Sequence, residues 1–263
     1  RLARGVLGRA AMRFDDDRPP RGFWDRRDAG RQLAHRLLQL GDPKSTDGDR
    51  PSRHGDADRG PPLVLALPRG GVPVGHELAR ALGAPLDIWI ARKVGVPWDP
   101  EWGLGAVGEG GASWMRPEGA KLARLDADQV QTAIAAARTE LSDRVRRLRA
   151  DRPRPDVRGR AVIVVDDGLA TGGTAHAAIA DLRAAGARSI TLALPVAPAD
   201  AAAEFADEVE HFVAVQEPEI MWAIGSWYDE FEQVDDNEVR RILTAPPTTA
   251  PPREPPVPPP DQG

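Results

Sequence analysis

Short apolar runs alternate with helical stretches along the middle of the chain. Four runs of five or six residues are mostly apolar, at 63–67, 86–91, 161–165 and 189–194. Apolar residues recurring every three or four positions predict helices at 23–40, 72–82, 126–152, 173–185, 199–207 and 236–243, with Arg26 on the solvent-facing side of the first. Continuously apolar strands are typical of parallel sheets covered on both faces. The pattern therefore predicts an α/β fold, a doubly wound, mostly parallel sheet flanked by helices.

The other segments are polar or rich in glycine and proline, and they divide the chain. Residues 1–22 lack periodicity and predict a flexible arm, and residues 41–62 predict a mobile loop. Residues 245–263 contain nine prolines in nineteen positions, which predicts a disordered tail. One domain is expected over 23–244, with a long loop at 95–111 and a small C-terminal hood at 217–244.

Composition narrows the chemistry that the protein can use. Of its 263 residues, 41% are hydrophobic and 29% charged, and there is no cysteine. Disulfides, thiol catalysis and cysteine-held metals are excluded, and no apolar run is long enough for a membrane helix, so we expect a cytoplasmic protein. The net charge of −5 hides an arm, 1–36, of net +5 and a segment, 199–239, with thirteen acids and no lysine or arginine.

The most informative segment is VIVVDDGLATGGT, at 162–174, where a strand ends in Asp166 and Asp167 and a loop leads into a helix. Backbone N–H groups at a helix N-terminus bind phosphate, and the glycines and threonines of the loop allow close approach and add donors. Two adjacent carboxylates suit a vicinal diol or Mg²⁺. The segment predicts a ribose 5-phosphate site, with an ordinary turn as the alternative.

This segment resembles the phosphoribosyl pyrophosphate (PRPP) motif of the type I phosphoribosyltransferases, most closely that of adenine phosphoribosyltransferase. Residues 23–40, 65–75, 90–111 and 227–239 resemble a bacterial group of predicted phosphoribosyltransferases. The resemblance implies transfer of ribose 5-phosphate from PRPP to a nitrogenous acceptor, with release of pyrophosphate. It assigns the ribose hydroxyls to Asp166 and Asp167. The rest of the PRPP loop would be Gly168, Leu169, Ala170, Thr171, Gly172, Gly173 and Thr174.

A second candidate anion site follows the first strand, at 68–71. The sequence Pro68, Arg69, Gly70 and Gly71 offers N–H donors and one guanidinium, although a plain turn is the alternative. The resemblance implies that it binds pyrophosphate and that the Pro68–Arg69 peptide bond is cis. It also implies that Arg92 and Lys93 contact pyrophosphate, with a solvated basic pair as the alternative. The candidate catalytic residues are Asp166, Asp167, Arg69 and Lys93.

The resemblance further implies that the loop at 95–111 is a catalytic lid that excludes water from the reaction. Mg²⁺ would be held largely by PRPP, with Asp166 and Asp167 assisting indirectly. Glu101 and Glu109, in the same loop, are candidate general bases, with solvated loop charges as the alternative.

The sequence says less about the identity of the acceptor than about PRPP. Ala170 stands where enzymes for 6-oxopurines carry an aspartate, which disfavours hypoxanthine and guanine. Trp222, Trp227 and Tyr228 in the hood are candidates for stacking on a base, with packing against the sheet as the alternative. The acidic residues around them disfavour an anionic acceptor.

A different function remains open at this point. A non-catalytic PRPP-sensing regulator would share the fold and the motif, and the basic arm supports that alternative; a module recruited through the proline-rich tail is weaker. A nucleic-acid partner is disfavoured, a membrane partner is not expected, and a homodimer is left open.

Overall fold

The computed structural model describes residues 22–40, 61–96, 98–116 and 118–245, without the side chains of residues 100 and 101. The predicted arm (apart from residue 22), most of the loop at 41–62 and most of the proline-rich tail lie outside the described residues. The helices are α1 (Arg26–Leu40), α2 (Gly71–Leu82), α3 (Gly119–Leu122), α4 (Ala127–Arg149), α5 (Gly173–Ala184), α6 (Ala201–Glu204) and α7 (Asp236–Thr244). The strands are β1 (Leu63–Ala66), β2 (Leu86–Ile88), β3 (Ala91–Val96), β4 (Asp99–Gly108), β5 (Ser113–Met115), β6 (Ala161–Val165), β7 (Ser189–Val196) and β8 (His211–Gln216).

The main sheet has five parallel strands in the order β2-β1-β6-β7-β8, which confirms the predicted fold class. Its register places Leu65 opposite Val164, and Val164 opposite Leu192. These side chains face α5, while the alternate positions, such as Val64, pack against α1 and α2. Because both faces are covered, the strands carry apolar residues at nearly every position. The edge strand β8 was not predicted.

A second, antiparallel sheet of β3, β4 and β5 corrects two predictions. The run at 86–91 is not one strand, since β2 ends at Ile88 and β3 begins the smaller sheet at Ala91. The segment 95–111 is largely β4 and its turn rather than a long loop. Two of its glycines are required by packing, because a Cβ at Gly105 would lie 2.2 Å from the Trp114 carbonyl oxygen and one at Gly108 would lie 1.9 Å from Asp181 Oδ2. Val96 and residues 104–108 are buried, so this part of the segment belongs to the core.

Helix α4 begins as the sequence predicts and ends at a buried ionic anchor. Asp126 accepts from the Gln129 N–H in a complete capping box. At the other end, the Arg149 side chain is 4% exposed and donates through two nitrogens to Glu109, at 2.7 Å each. It also pairs with Asp87 at 3.0 Å. The anchor fixes α4 against both sheets.

Two further features of the fold concern its helices. The helix predicted at 199–207 is limited to the four residues of α6, after which Phe205 turns into the core. Within the described ranges, no helix has the length and apolar character needed to cross a membrane.

Candidate active site

Two loops meet at the carboxyl edge of the main sheet because β1 and β6 are neighbours in parallel register. The first is 68–71, after β1, and the second is 166–174, after β6. A Cβ built on Gly70 would lie only 1.9 Å from Asp167 Oδ2, and one on Gly71 would lie 2.6 Å from the Val165 carbonyl oxygen. The two glycines therefore permit a direct contact between the loops that any side chain would prevent.

The loop at 68–71 has the cis peptide bond between Pro68 and Arg69 that the resemblance implies. Its carbonyl at Pro68 accepts a hydrogen bond from Arg144 on α4 at 2.8 Å. The Arg69 side chain is about one-third exposed and lies 3.5 Å from Asp236 at the start of α7. Helix α2 begins at Gly71, the last residue of the loop, so its N-terminus lies at the same edge. The Gly71 and Val72 N–H groups already donate to the Leu67 and Arg69 carbonyls, at 3.1 Å each.

Asp167 is held by Arg26, which sequence reasoning did not assign to the site, and by Tyr228, which it assigned to stacking on the acceptor. Arg26 donates to Asp167 Oδ2 at 2.8 Å, with only 10% of the arginine side chain exposed, and its guanidinium lies 3.8 Å from the ring centre of Phe231. The prediction that Arg26 faces solvent is therefore wrong, because α1 turns this side chain towards the carboxyl edge. The Tyr228 hydroxyl donates to the Asp167 carbonyl at 2.5 Å.

Asp166 lies beside Asp167, and its carboxylate accepts the Asp167 N–H at 2.9 Å. Burial raises the pKa of Asp166 well above its ordinary value, and the charge of Asp167 raises it further. The hydrogen bond from the Asp167 N–H and the charge of Arg26 act in the opposite direction. The pair therefore consists of a carboxylate matched by an arginine and a second carboxyl group that resists ionisation.

The loop between the acids and α5 divides into an inner and an outer part. Gly168 and Leu169 are buried, and the Leu169 N–H donates to the Val196 carbonyl at 2.9 Å. Ala170 and Thr171 are exposed, while Thr174 is half-buried. Gly172 has φ +69°, a conformation that favours glycine, immediately before α5 begins at Gly173. The exposed part lies at a helix N-terminus, the geometry that binds phosphate groups.

A histidine supports this loop from beneath. The ring of His176 stacks between Trp114 and Phe205, at centroid distances of 4.3 and 4.1 Å. Its two ring nitrogens lie 2.9 Å from carboxylate oxygens of Glu204 and Glu208. A Cβ at Gly172 would lie 3.3 Å from this ring. The loop therefore packs against the stacked rings of Trp114, His176 and Phe205.

The basic pair Arg92 and Lys93 lies inside β3, not at the end of a main-sheet strand. Successive side chains of a strand point to opposite faces, so the two cations do not act side by side. Arg92 pairs with Glu140 of α4 at 2.6 Å, whereas Lys93 is exposed. The structure brings Arg92 towards Arg144, beside the loop at 68–71, but does not bring Lys93 there with it.

Neither candidate general base gains support from its position. Glu109 is held by Arg149 and also accepts the Ile90 N–H at 2.9 Å, and its side chain is only 3% exposed. Glu109 is a structural anchor, which corrects both its prediction as a general base and the alternative of a solvated loop charge. The side chain of Glu101 lies outside the described residues.

The three aromatic residues of the hood do not form a stacking surface. Tyr228 is buried with its ring 5.3 Å from that of Phe23 and 5.0 Å from that of Phe231, so both sides are occupied by the protein. Trp227 is half-buried in the same cluster, and Trp222 is 90% exposed. Packing of the hood against the sheet, the stated alternative, describes Trp227 and Tyr228, whose cluster includes Val196 of β7 and Val215 of β8.

Mg²⁺ is the metal that the resemblance implies. Among the described residues, no group of three or more His, Asp or Glu could hold a metal ion. Arg26 pairs with Oδ2 of Asp167, and Oδ1 of Asp166 accepts the Asp167 N–H, so one oxygen of each carboxylate is already engaged. The residues therefore fit an ion that arrives with a phosphorylated ligand and gains one protein carboxylate, not a protein-only cage.

These features define a doubly wound α/β protein with a two-loop site at the carboxyl edge of its sheet. The family described as "Phosphoribosyl transferase domain" matches residues 52–230. The chain is 42% identical over 221 residues to a Mycobacterium tuberculosis protein named "Putative phosphoribosyl transferase". The match covers 84% of this chain and 46% of that protein, so the chain spans about half the length of the curated relatives it matches.

A solved structure has a similar fold. The crystal structure of TT1426 from Thermus thermophilus shares 37% sequence identity and a TM-score of 0.65, over 84% of this chain and 97% of that one. The chain belongs to the phosphoribosyltransferase family.

Proposed function

We propose that the protein is a PRPP-dependent phosphoribosyltransferase that joins ribose 5-phosphate to a neutral nitrogenous acceptor and releases pyrophosphate. The contact between the loops at 68–71 and 166–174 carries the proposal. It sets an acidic pair and a phosphate-binding helix N-terminus next to an arginine-bearing loop. PRPP has the matching arrangement, with a diol and a 5-phosphate on one side and a diphosphate on the other.

In this mechanism the chain's own residues bind, orient and neutralise. Asp166 and Asp167 accept hydrogen bonds from the ribose hydroxyls, and the N–H groups from Ala170 to Thr174 hold the 5-phosphate. Arg69 and the N–H group of Gly70 receive the charge that develops on the leaving diphosphate. Mg²⁺, when bound, neutralises further charge on the diphosphate. An acceptor nitrogen attacks C1 of the ribose as the C1–O bond to pyrophosphate breaks, and the acceptor then loses its proton.

The proposal also covers the lid and the charge of the acceptor. The tip of the β3–β4 hairpin carries Trp98 and Trp102, which are 64% and 40% exposed. We assign water exclusion to this tip, because residues 104–108 of the same segment are buried. The exposed acids Asp229, Glu230 and Glu232 favour a neutral or cationic acceptor. The proposal includes a cytoplasmic location.

The test is pyrophosphate release from PRPP and Mg²⁺ with a panel of purines, pyrimidines and small amines. Wild-type protein should release pyrophosphate with at least one acceptor, and Asp166→Asn combined with Asp167→Asn should abolish PRPP binding. The matched control is Lys121→Ala, which removes an exposed cation paired only with Glu118 at 3.0 Å and should change neither measurement. PRPP binding without release for any acceptor, together with PRPP-dependent binding of nucleic acid, would favour the regulator instead.

A further inference from the structure

A small pocket opens beside the loop at 68–71, between α4 and β3. It has a volume of about 210 Å³ and is lined by Arg92, Glu140, Asp143, Arg144 and Arg147. One water in the liquid takes up about 30 Å³, so the pocket has room for a group of several heavy atoms. Arg144 joins the pocket to the loop, because its terminal nitrogen donates to the Pro68 carbonyl at 2.8 Å.

The arginines of this pocket differ in whether a carboxylate pairs with them. Arg92 pairs with Glu140 at 2.6 Å, and Arg147 lies 3.7 Å from Asp236. Asp143, the other acid of the lining, pairs with Arg146. Arg144, by contrast, forms no ion pair with a carboxylate among the described residues, and its Nε is buried without a hydrogen-bond partner there.

Other arginines lie close enough to the Arg144 guanidinium to repel its charge. Burial lowers the pKa of Arg144, and the charges of Arg69 and Arg92 lower it further, against a raising effect of Asp236. A guanidinium has five N–H donors, and the Pro68 carbonyl uses one. An anion arriving in the pocket would satisfy further donors and relieve the repulsion among the arginines. Asp236 is about one-third exposed and lies 3.5 Å from Arg69, so a stronger anion can displace it at little cost.

We propose that Arg144 binds the diphosphate group directly, so that the pyrophosphate site extends from the loop at 68–71 onto α4. The inference rests on the proposed function. One edge of the guanidinium positions the loop through the Pro68 carbonyl, and the remaining donors contact a phosphate group. Arg92 and Arg147 contribute charge at the sides of the pocket.

Two simple ligands separate this role from a purely structural one. Inorganic pyrophosphate, with Mg²⁺, probes the arginine side of the site, and ribose 5-phosphate probes the acidic pair and the loop at 166–174. Arg144→Ala should weaken binding of pyrophosphate by about ten- to a hundredfold, the range for hydrogen bonds to charged groups, and leave ribose 5-phosphate affinity within about twofold. Arg144→Lys should recover part of the loss, because it restores charge without the planar fork.

Titration calorimetry on the full chain, with Arg36→Ala as a control for an exposed arginine on α1, gives distinct outcomes. Equal losses for both ligands in Arg144→Ala would mean that the arginine only supports the fold of the site, and the inference would fail. Unchanged pyrophosphate affinity in that variant would also overturn it. If wild-type protein bound neither ligand, the proposed function itself would fail.

Discussion

The ion pair between Arg26 and Asp167 gives a stability prediction that can be worked from the structure. Their side chains are 10% and 12% exposed, so the pair lies much closer to a buried pair than to a surface one. Removing one partner of a buried pair costs about 3–5 kcal/mol, against about 0–1 kcal/mol at the surface. We expect Arg26→Met to lower the free energy of unfolding by about 3–4 kcal/mol.

Part of that loss does not involve Asp167. Arg26 also donates to the Glu232 carbonyl at 2.6 Å and lies over the Phe231 ring at 3.8 Å. Such contacts are worth about 1–2 kcal/mol together. In an Asp167→Asn background Arg26→Met leaves no unpaired carboxylate, so it should cost no more than that smaller amount. The coupling free energy between the two positions should be about 1–3 kcal/mol.

Urea denaturation of the wild type, the two single variants and the double variant at neutral pH measures this coupling directly. Raised ionic strength should reduce it only slightly, because a pair this buried is poorly screened. A coupling below about 0.5 kcal/mol would refute the view that Arg26 neutralises Asp167.

Three further predictions concern the same edge of the sheet. Asp166→Asn should stabilise the protein near neutral pH: the raised pKa means that the folded state holds a proton more tightly than the unfolded state, so wild-type stability falls as pH rises above 3.8. The gain, measured by thermal unfolding across pH, should therefore shrink as pH falls towards that value. Gly70→Ala should cost about 1–3 kcal/mol and abolish PRPP binding in calorimetry, because its Cβ would lie 1.9 Å from Asp167 Oδ2. Tyr228→Phe should cost about 1–3 kcal/mol in urea denaturation, because it leaves the buried Asp167 carbonyl without its donor.

Each of these has a control or a contrary result. A gain for Asp166→Asn that did not vary with pH would show that ionisation of Asp166 is not its cause. Gly103→Ala is the matched control for Gly70→Ala, because no atom lies within 4 Å of a Cβ at Gly103. Ser226→Ala, which removes an exposed hydroxyl donor to the Ala223 carbonyl, should cost far less than Tyr228→Phe; equal costs would contradict the buried role of the tyrosine hydroxyl.

The main sheet and its helices could be predicted from the sequence because buried parallel strands and amphipathic helices leave strong periodic patterns. The capping box at Asp126 shows the same local encoding. The smaller sheet could not be predicted in this way. Its glycines are typical of loops when read alone, and only the neighbouring Trp114 carbonyl and Asp181 carboxylate explain why Gly105 and Gly108 carry no side chain.

The candidate site was predictable where it consists of contiguous motifs. The segments at 68–71 and 166–174 follow neighbouring strands, and strand adjacency brings them together. Arg26 and Arg144 could not be found by this reasoning, because each reaches the site from a helix distant in sequence. Both helices contain several other arginines, so nothing in the local sequence distinguishes Arg26 and Arg144 from arginines that face solvent.

Helix α7 bears on how far the chain can be shortened without damage to this edge of the molecule. Asp236, its first residue, lies near both Arg69 and Arg147, and the Leu243 carbonyl near its end accepts from Arg152 at 2.9 Å. A version trimmed at residue 235 would keep both loops of the site, yet it would lose the carboxylate that these two arginines share. The folded unit that supports this edge therefore includes α7, whose Val239, Ile242 and Leu243 are buried in the core, well past the last residue of either loop.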